Sequence, residues 1–260
     1  MNNKCNALVT SSSRGIGFQA ALSLIEKGCN VVINSRSLEN IENAIKKLKE
    51  MKRDAIIYGI KADISSIDEV KKLYDETQKI LGSLDIIVMN YGNPLCEPCE
   101  LIRTNYDDWL YSFNLYVAST VEMIKQVYLK NDRKVSFVLI SSFSTYSPME
   151  STSLSDIIRS VFPSLVKVYS RLYPNKIRAN LLLLGTFKTE GAMELIRKLS
   201  SKENIDENEY WKRFVEDISP LKRSGRFDEL REVISWLSFS PEYLSGSIIL
   251  FDGATLNCLI

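Results

Sequence analysis

Residues 7–25 read ALVTSSSRGIGFQAALSLI, and this stretch decides the fold. Its first residues form a short apolar run typical of a buried strand, and the apolar residues after Gly17 recur at helical spacing. A turn of small residues between a first strand and a first helix places free backbone N–H groups and the helix dipole against a diphosphate. Gly15 would let the backbone approach such a ligand, and Gly17 would let the helix pack on the sheet. The stretch predicts a dinucleotide site, with an ordinary glycine-containing loop as the alternative.

Short apolar runs alternate with amphipathic helical stretches along the rest of the chain. Further strands are predicted at residues 31–33, 55–60, 84–89, 135–140, 177–184 and 247–251. Near-continuous hydrophobicity suits strands that are buried on both faces of a parallel sheet. The alternation therefore predicts one α/β domain over residues 1–260, a Rossmann-type doubly wound parallel sheet in a three-layer α/β/α sandwich. A charged, mostly helical stretch at about 190–224 interrupts the alternation and is predicted to form a short lid.

The composition excludes several kinds of chemistry. The 260 residues include 33 Lys and Arg, 32 Asp and Glu, and no histidine. Without histidine there is no Ser-His-Asp hydrolase, no histidine metal site and no imidazole base, so acid–base work falls to Tyr, Lys, Cys, Asp or Glu. No metal site is predicted. A net charge of +1 gives no reason to expect nucleic acid or an anionic membrane as partner.

The five cysteines do not predict a disulfide framework, because their number is odd and their spacing is scattered. Cys96-Glu97-Pro98-Cys99 is a lone C-x-x-C, and coincidence is favoured over a redox or disulfide role. The sequence shows no signal-peptide pattern and no apolar run of about 18 residues. A cytoplasmic protein is therefore expected.

The glycine turn resembles that of the classical short-chain dehydrogenase/reductase family, which reads T-G-x-x-x-G-x-G. Here Ser11 stands at the first glycine. Further matches follow in the family's order along almost the whole chain: Asp63, Asn90-Tyr91-Gly92, Asn114-Leu115, Ile140-Ser141-Ser142, Ile177-Arg178-Ala179-Asn180 with Gly185, Ser219-Pro220-Leu221, Arg223-Ser224-Gly225-Arg226, Ser245-Gly246 and Asp252-Gly253. Met89 and Leu184 replace a family asparagine and proline. Within the family the chain is similar to 3-oxoacyl-ACP reductases and sugar dehydrogenases, which implies hydride transfer between a nicotinamide cofactor and a carbonyl or alcohol.

The resemblance also implies which residues contact the cofactor: Thr10, Ser12, Ser13, Arg14, Gly15, Ile16, Gly17, Ser35, Arg36, Asp63, Ile64, Asn90, Gly92, Gly185, Phe187 and Thr189. A carboxylate at the end of the second strand would bind the ribose 2′-hydroxyl and repel a 2′-phosphate. The sequence has Ser35 followed by Arg36 there, and Arg14 is expected to approach the same phosphate. Two guanidiniums and a hydroxyl favour NADP over NAD, the alternative being two solvated surface arginines.

The catalytic residues of the family are only partly present. The resemblance places the serine that positions the substrate at Ser142 and the helix asparagine of the water relay at Asn114. Ser155 and Arg159 stand where the family has its proton-transferring tyrosine and the lysine four residues later, and no Y-x-x-x-K occurs in the chain. An aliphatic hydroxyl is a far weaker acid than a phenol, and arginine stays protonated. Tyr146, and less so Tyr91, are candidate replacement acids, although a role in the cleft wall is favoured for each.

Pro163 falls inside the helical pattern that follows Arg159. Proline lacks an N–H and its ring clashes with the carbonyl four residues earlier, so an unbroken helix is disfavoured. The helix is predicted either to kink or to restart at Pro163, where a first-turn proline is tolerated.

Two functions remain open. An NADP-dependent oxidoreductase acting on a small carbonyl or alcohol is favoured, and a catalytically silent nucleotide-binding homologue with a structural or regulatory role is the alternative. A Rossmann-like methyltransferase is weaker, because the closing segments match the dehydrogenase family. The resemblance further implies a homotetramer or dimer, with the apolar helices at 105–130 and 155–173 as its interface.

Overall fold

A computed structural model describes residues 5–98 and 100–257. In that part of the chain seven strands form one sheet: β1 (Asn6–Val9), β2 (Asn30–Ser35), β3 (Ile57–Lys61), β4 (Ile86–Met89), β5 (Val135–Ser142), β6 (Ile177–Leu184) and β7 (Ile248–Phe251). Their order across the sheet is β3-β2-β1-β4-β5-β6-β7, and each neighbouring pair is parallel. The predicted strands are confirmed, with their ends displaced by two residues at most.

Helices connect the strands. They are α1 (Gly15–Glu26), α2 (Leu38–Met51), α3 (Ile67–Leu81), α4 (Tyr106–Phe113), α5 (Ser119–Lys130), α6 (Ser153–Arg159), α7 (Phe162–Leu172), α8 (Glu190–Glu203), α9 (Glu207–Trp211) and α10 (Phe227–Ser238). A π-helical stretch, Asn114–Ala118, joins α4 to α5 without a break. A second one, Lys212–Glu216, follows α9.

The sheet carries a hydrophobic core on each face, because successive strand residues point to opposite sides. Ala7 and Val9 face the core that α1, α2 and α10 cover. Leu8 faces the other core, which α3, α5 and α7 cover. The strands β1, β4 and β6 are buried along their whole length, as their near-continuous apolar runs predict. The three-layer sandwich is therefore confirmed.

The strand order reverses at β1, which lies between β2 and β4. In open parallel sheets, ligands bind outside the carboxyl ends of the strands at such a reversal. The glycine turn follows β1 and Asn90 follows β4, so both lie at this crevice.

The predicted lid is helical. α8, α9 and the π-helical stretch after them pack around a small apolar cluster of their own, which contains Ile196, Tyr210, Trp211 and Val215. Thr189 caps α8, because its hydroxyl accepts a hydrogen bond from the Ala192 N–H at 3.1 Å. The lid starts at Glu190, shortly after the end of β6, and Thr189 at its start lies 3.5 Å from the position of a Cβ on Gly15.

The helix predicted across Pro163 is split in two. α6 ends at Arg159, a turn follows, and α7 starts at Phe162 with Pro163 in its first turn. The N–H groups of a first helical turn have no partner within the helix, so the missing N–H of proline is tolerated there. The restart is therefore the alternative that the structure adopts.

One disulfide joins Cys5 to Cys29, a single bridge that the count and spacing of the cysteines do not predict. The register of β1 and β2 pairs Asn6 with Asn30, which brings the preceding cysteines side by side. Their Cα atoms are 4.5 Å apart, within the range of disulfide-bonded pairs. Cys99 of the C-x-x-C lies outside the described residues, and the interpretation of that motif stays a prediction.

Two negative findings apply to the described ranges, 5–98 and 100–257. Neither contains a helix long and apolar enough to cross a membrane. Nor do these ranges bring three or more Cys, Asp or Glu side chains together in a way that would hold a metal ion.

Candidate active site

The glycine turn has a backbone shape that a phosphate can enter. Ser11 has a φ of 46° and Gly15 a φ of 57°, so Ser11 keeps the left-handed conformation that glycine adopts most readily. A Cβ at Gly17 would lie 2.4 Å from the Ser11 carbonyl oxygen and 2.7 Å from Asn90 Nδ2, so only glycine fits. No side chain caps the start of α1, and its first N–H groups are left for a ligand. These features fit the diphosphate of a dinucleotide.

Asn90 connects the glycine turn to the end of β4 through three hydrogen bonds. Its N–H donates to Thr10 Oγ1 at 3.0 Å, and the Thr10 hydroxyl donates to the Asn90 carbonyl at 2.6 Å. Its side-chain Nδ2 donates to the Ser11 carbonyl at 2.9 Å. The predicted residues Thr10 and Asn90 therefore hold the shape of the turn from opposite sides of the crevice.

Asn34 holds the turn from β2 and was not among the predicted site residues. It is buried, and its Oδ1 accepts the Ser11 N–H at 3.2 Å. Its backbone N–H donates to Ser12 Oγ at 3.0 Å, and its Nδ2 donates to the Ile60 and Ala62 carbonyls. A polar residue in an apolar strand is the signal that could have identified it, because a buried amide needs partners.

The residues predicted to bind the adenosine end lie together. The hydroxyls of Ser13 and Ser35 are 3.1 Å apart. Arg36 donates to the Tyr111 hydroxyl at 3.1 Å and lies 3.9 Å from Asp63, while more than half of its side chain is exposed. Asp63 accepts two hydrogen bonds from Ser65, through the backbone N–H and the hydroxyl. The cluster offers hydroxyls and a guanidinium at the end of β2, where no carboxylate projects from the strand itself.

Arg14 forms exposed ion pairs with the lid. Its guanidinium pairs with Glu190 at 3.5 Å and Glu194 at 3.0 Å, both on the lid helix α8. The approach of Arg14 to a cofactor phosphate near Arg36 stays a prediction. The pair links the glycine turn to the lid.

The predicted residues after β6 approach the glycine turn from the other side. Thr189 lies 3.5 Å from the position of a Cβ on Gly15, and a Cβ on Gly185 would lie 2.7 Å from Asp252 Cα. The Phe187 side chain is buried and stacks with Phe227 and Phe251, so it packs inside the protein. Ile64 is likewise buried, and Gly92 has open space around it.

Ser142 lies at the end of β5 within a network of hydroxyls. Its Oγ accepts the Ser144 N–H at 3.2 Å and is 2.8 Å from Ser144 Oγ. The Ser144 hydroxyl donates to the buried carboxylate of Asp156 at 2.5 Å. Asp156 also accepts the Met149 N–H at 3.1 Å and the Thr152 hydroxyl at 3.0 Å. Asp156 therefore fixes the segment after β5, including Ser142, against α6.

Arg159 is held on its own helix. Its Nη2 lies 2.7 Å from Asp156 Oδ1, its Nε donates to the Ser155 carbonyl at 3.2 Å, and its guanidinium lies over the Tyr116 ring at 5.5 Å. A family lysine would hold the ribose and lower the tyrosine pKa. Arg159 instead pairs with Asp156, and its Nη2 also lies 3.4 Å from Ser155 Oγ.

Ser155 contacts a carboxyl that the sequence did not predict for this site. The Ser155 N–H and hydroxyl both donate to Glu97 Oε1, at 2.8 and 2.7 Å. Burial raises the pKa of Glu97 above its usual value, while the hydrogen bonds from Ser155 and the charge of Arg159 oppose that rise. Glu97 stands 58 positions before Ser155, which is why a motif search along the chain could not pair them.

The phenols differ in their surroundings. Tyr91 stacks on Phe162 and its hydroxyl lies 2.5 Å from Thr120 Oγ1, so it forms part of the wall. Tyr116, in the π-helical stretch, donates to the Gly92 carbonyl at 3.0 Å. Burial raises the pKa of both above the ordinary value. Tyr146 is half-buried and packs against the core that α3, α5 and α7 cover.

Asn114 is the first residue of the π-helical stretch, where the helix widens by one residue per turn. Its N–H donates to the Leu110 and Tyr111 carbonyls. Such bulges occur frequently at functional sites. This one begins three residues after Tyr111, which contacts Arg36, and contains Tyr116, which contacts Arg159.

A family model described as enoyl-(acyl carrier protein) reductase matches residues 10–254. Tropinone reductase-like 3 of Erythroxylum coca is 26% identical over 96% of this chain and 92% of its own. Dehydrogenase/reductase SDR family member 4 of Mus musculus is 26% identical over 98% of this chain and 88% of its own.

Solved structures agree with the fold. L-sorbose reductase from Gluconobacter frateurii, complexed with NADPH and L-sorbose, superposes with a TM-score of 0.89 at 20% identity over 98% of both chains. Actinorhodin polyketide ketoreductase with NADPH superposes with a TM-score of 0.89 at 19% identity over 99% of both chains. The match of the family model over nearly the whole length places the chain: it belongs to the short-chain dehydrogenase/reductase family of oxidoreductases.

Proposed function

We propose that this protein transfers hydride between NADP(H) and the carbonyl or alcohol group of a small molecule. The observation that carries the proposal is the phosphate-binding turn at the strand reversal, where Gly17 is pressed against Ser11 and Asn90. The L-sorbose reductase and the polyketide ketoreductase were each solved with NADPH, which supports the same cofactor class here.

The preference for NADP over NAD is supported by the side chains that follow β2. Ser35 stands where a carboxylate would repel a 2′-phosphate, and its hydroxyl already lies beside that of Ser13. Arg36 is exposed and next to it, so its guanidinium is available to a phosphate. Arg14 is not needed for this preference, since it pairs with the lid.

Calorimetric titration tests the cofactor. NADPH is expected to bind more tightly than NADH. Arg36→Ala is expected to weaken NADPH about 10-fold and to leave NADH unchanged, because it removes a charge-assisted contact made only to the 2′-phosphate. Arg53→Ala is the matched control, since Arg53 is exposed in the turn before β3. Equal affinity of the wild type for the two cofactors would overturn the preference.

The residues present define what the chain contributes to the reaction. A bound nicotinamide supplies or accepts the hydride. Ser142, at the carboxyl end of β5, would donate a hydrogen bond to the substrate oxygen by turning its hydroxyl away from Ser144 Oγ, and the Ser144 N–H holds its Oγ. Thr189 and Gly185 close the crevice from the lid side. A proton must still reach the alkoxide that hydride transfer leaves.

Ser155 and Arg159 are poorly suited to deliver that proton. Ser155 is an aliphatic alcohol, and Arg159 is occupied by Asp156. The ion pair between Arg159 and Asp156 also favours the second candidate function, a silent NADP(H)-binding homologue.

Oxidation of NADPH against L-sorbose, diacetyl, benzaldehyde and cyclohexanone, by wild type and Tyr146→Phe, separates these alternatives. Turnover lost with Tyr146 would support a relocated phenol, and no turnover with NADPH still bound would favour the silent homologue.

A further inference from the structure

The segment after β4 brings a carboxyl to the position where the family has its acid. Glu97 is half-buried, and both of its described hydrogen bonds fall on Oε1. Both come from Ser155, one from the backbone and one from the hydroxyl. The carboxyl is therefore held in one orientation, with Oε2 directed away from these donors.

The short side chain of Ser155 makes room for this carboxyl. Ser155 is 2% exposed, so a larger side chain at that position needs space inside the protein. The space beside its Oγ is taken by Glu97 Oε1 at 2.7 Å and the Thr152 carbonyl at 3.0 Å. Glu97 therefore occupies volume that a phenol at position 155 would need.

The two charged groups beside Glu97 act on its pKa in opposite directions. Arg159 favours the ionised carboxylate, Asp156 disfavours it, and the buried phenol of Tyr116 lies nearby. Desolvation is the largest influence and raises the pKa of Glu97. A carboxyl with a raised pKa is the kind of acid that donates a proton at near-neutral pH.

We propose that Glu97 is the proton donor of the reduction, oriented by Ser155. This inference rests on the proposed function. NADPH, when bound, would supply the hydride that forms a C–H bond at the carbonyl carbon, and the C=O π pair would move to oxygen. The Glu97 O–H bond breaks and its proton goes to that oxygen, which yields the alcohol, NADP⁺ and the carboxylate. Solvent then returns a proton to Glu97, and alcohol oxidation runs the same steps in reverse.

The other groups nearby are less suited to the role. Tyr116 is buried and its hydroxyl is committed to the Gly92 carbonyl. The Tyr91 hydroxyl is paired with Thr120. Asp156 is saturated by donors from Ser144, Met149, Thr152 and Arg159. Among these groups, Glu97 alone combines partial exposure, a raised pKa and an oxygen without a described partner.

Glu97→Gln is the test, because glutamine keeps the acceptor for Ser155 and loses the acidic proton. NADPH oxidation against L-sorbose, diacetyl, benzaldehyde and cyclohexanone is expected to fall about 10²-fold or more in kcat, with NADPH affinity unchanged. Wild-type kcat is expected to fall as pH rises through the pKa of Glu97. This decrease of kcat with pH is expected to be absent in Glu97→Gln. Glu100→Gln is the matched control, since Glu100 is exposed in the same segment and pairs with Arg103.

A second readout does not depend on turnover. Infrared spectra of wild type minus Glu97→Gln, recorded over a series of pH values, are expected to show the C=O stretch of one carboxylic acid that ionises above pH 4.5, because the pKa of Glu97 is raised. Ser155→Ala is expected to lower kcat about 10-fold with little change in KM, because it removes one of the two hydrogen bonds that orient the carboxyl and keeps the backbone N–H.

The outcomes separate the two proposals. Active wild type with an equally active Glu97→Gln, or an infrared band of the carboxylic acid that is already lost at pH 4.5, would overturn the role of Glu97 and leave the proposed function standing. Wild type that binds NADPH and reduces none of the four carbonyls would overturn the proposed function and the donor role together. Loss of turnover in Glu97→Gln alone, with the protonated band present, supports both.

Discussion

A side chain at position 17 would close the phosphate-binding turn. The methyl group of Gly17→Ala would lie within 3 Å of Ser11, Ser12 and Asn90, two of these contacts being backbone atoms. Overpacking of this kind costs about 1–3 kcal/mol and here also displaces the N–H groups that face the ligand. We expect Gly17→Ala to lower the free energy of unfolding by that amount and NADPH affinity at least about 10-fold.

Urea unfolding and calorimetric titration measure both effects. Gly191→Ala is the matched control, because Gly191 lies in α8 with no atom near its missing Cβ. That control should fold at least as stably as wild type, since alanine favours a helix. If Gly17→Ala bound NADPH as tightly as wild type, the clash expected between its methyl group and the atoms of Ser11, Ser12 and Asn90 would be contradicted.

Glu97 gives the protein a pH-dependent stability of predictable sign. Its pKa is raised in the folded state relative to the ordinary value of 4.5, so the folded state binds the proton more tightly than the unfolded chain does. Its stabilising contribution is therefore complete below pH 4.5 and is lost as pH rises through the folded pKa. Glu97→Gln has no charge to gain, so its stability relative to wild type is expected to rise over the same interval.

Urea unfolding of both proteins at a series of pH values checks this sign. Glu100→Gln again serves as control, and its difference from wild type should stay flat. A difference between wild type and Glu97→Gln that does not change with pH would show that burial leaves this carboxyl unaffected.

At the scale of elements, Asp156 joins the segment after β5 to α6. Its carboxylate is buried and accepts hydrogen bonds from four residues: Ser144, Met149, Thr152 and Arg159. Asp156→Asn would leave the Arg159 guanidinium without its counter-charge and set an amide N–H₂ against other donors. Breaking a buried pair from one side costs about 3–5 kcal/mol.

We expect that loss in urea unfolding of Asp156→Asn, together with a weaker hold on Ser142. Asp54→Asn is the matched control, because Asp54 is exposed in the turn before β3. Equal stability of the two variants would mean that the network around Asp156 contributes nothing net.

The elements were predictable where their signal is local. β6 is predicted at the residues that form it, because its apolar run ends in four successive leucines, Leu181 to Leu184. The prediction for β3 starts two residues early, since Ala55 and Ile56 are apolar but precede the paired strand. The split at Pro163 is likewise a property of one residue and its neighbours.

Features that depend on distant residues meeting in space were not predictable from one sequence. Cys5 meets Cys29 only because of the register between β1 and β2. Glu97 meets Ser155, and Arg14 meets Glu194, through the positions of a loop and a lid. The cofactor turn was predictable as a motif, whereas the acid of the candidate site was not.

At the scale of the whole molecule, apolar side chains remain exposed on two neighbouring helical regions. Leu110 and Phe113 on α4, and Val168 and Leu172 on α7, each expose more than two fifths of their surface. They lie in the helices predicted to form an interface, and burying them in a second copy would remove them from water. We expect a homodimer or homotetramer in which these helices pack together.

Light scattering after size exclusion measures the assembly. Val168→Glu is expected to shift the protein to a smaller species, because it places a charge in the interface core. Lys46→Glu, on the exposed face of α2, should leave the assembly unchanged. A monomeric wild type would contradict the prediction.

The contact between Glu97 and Ser155 also constrains evolution at this site. Ser155→Tyr alone would drive a ring against the Glu97 carboxyl. Arg159→Lys alone would weaken the ion pair with Asp156, because lysine lacks the planar guanidinium that can donate two parallel hydrogen bonds to a carboxylate. Each single reversion toward the family's pair is thus expected to be harmful, whereas both together with Glu97→Gly remove the obstacle. The three positions should therefore show sign epistasis: a mutation's effect reverses with its background, and a lineage that has installed the carboxyl has no gradual path back to the phenol.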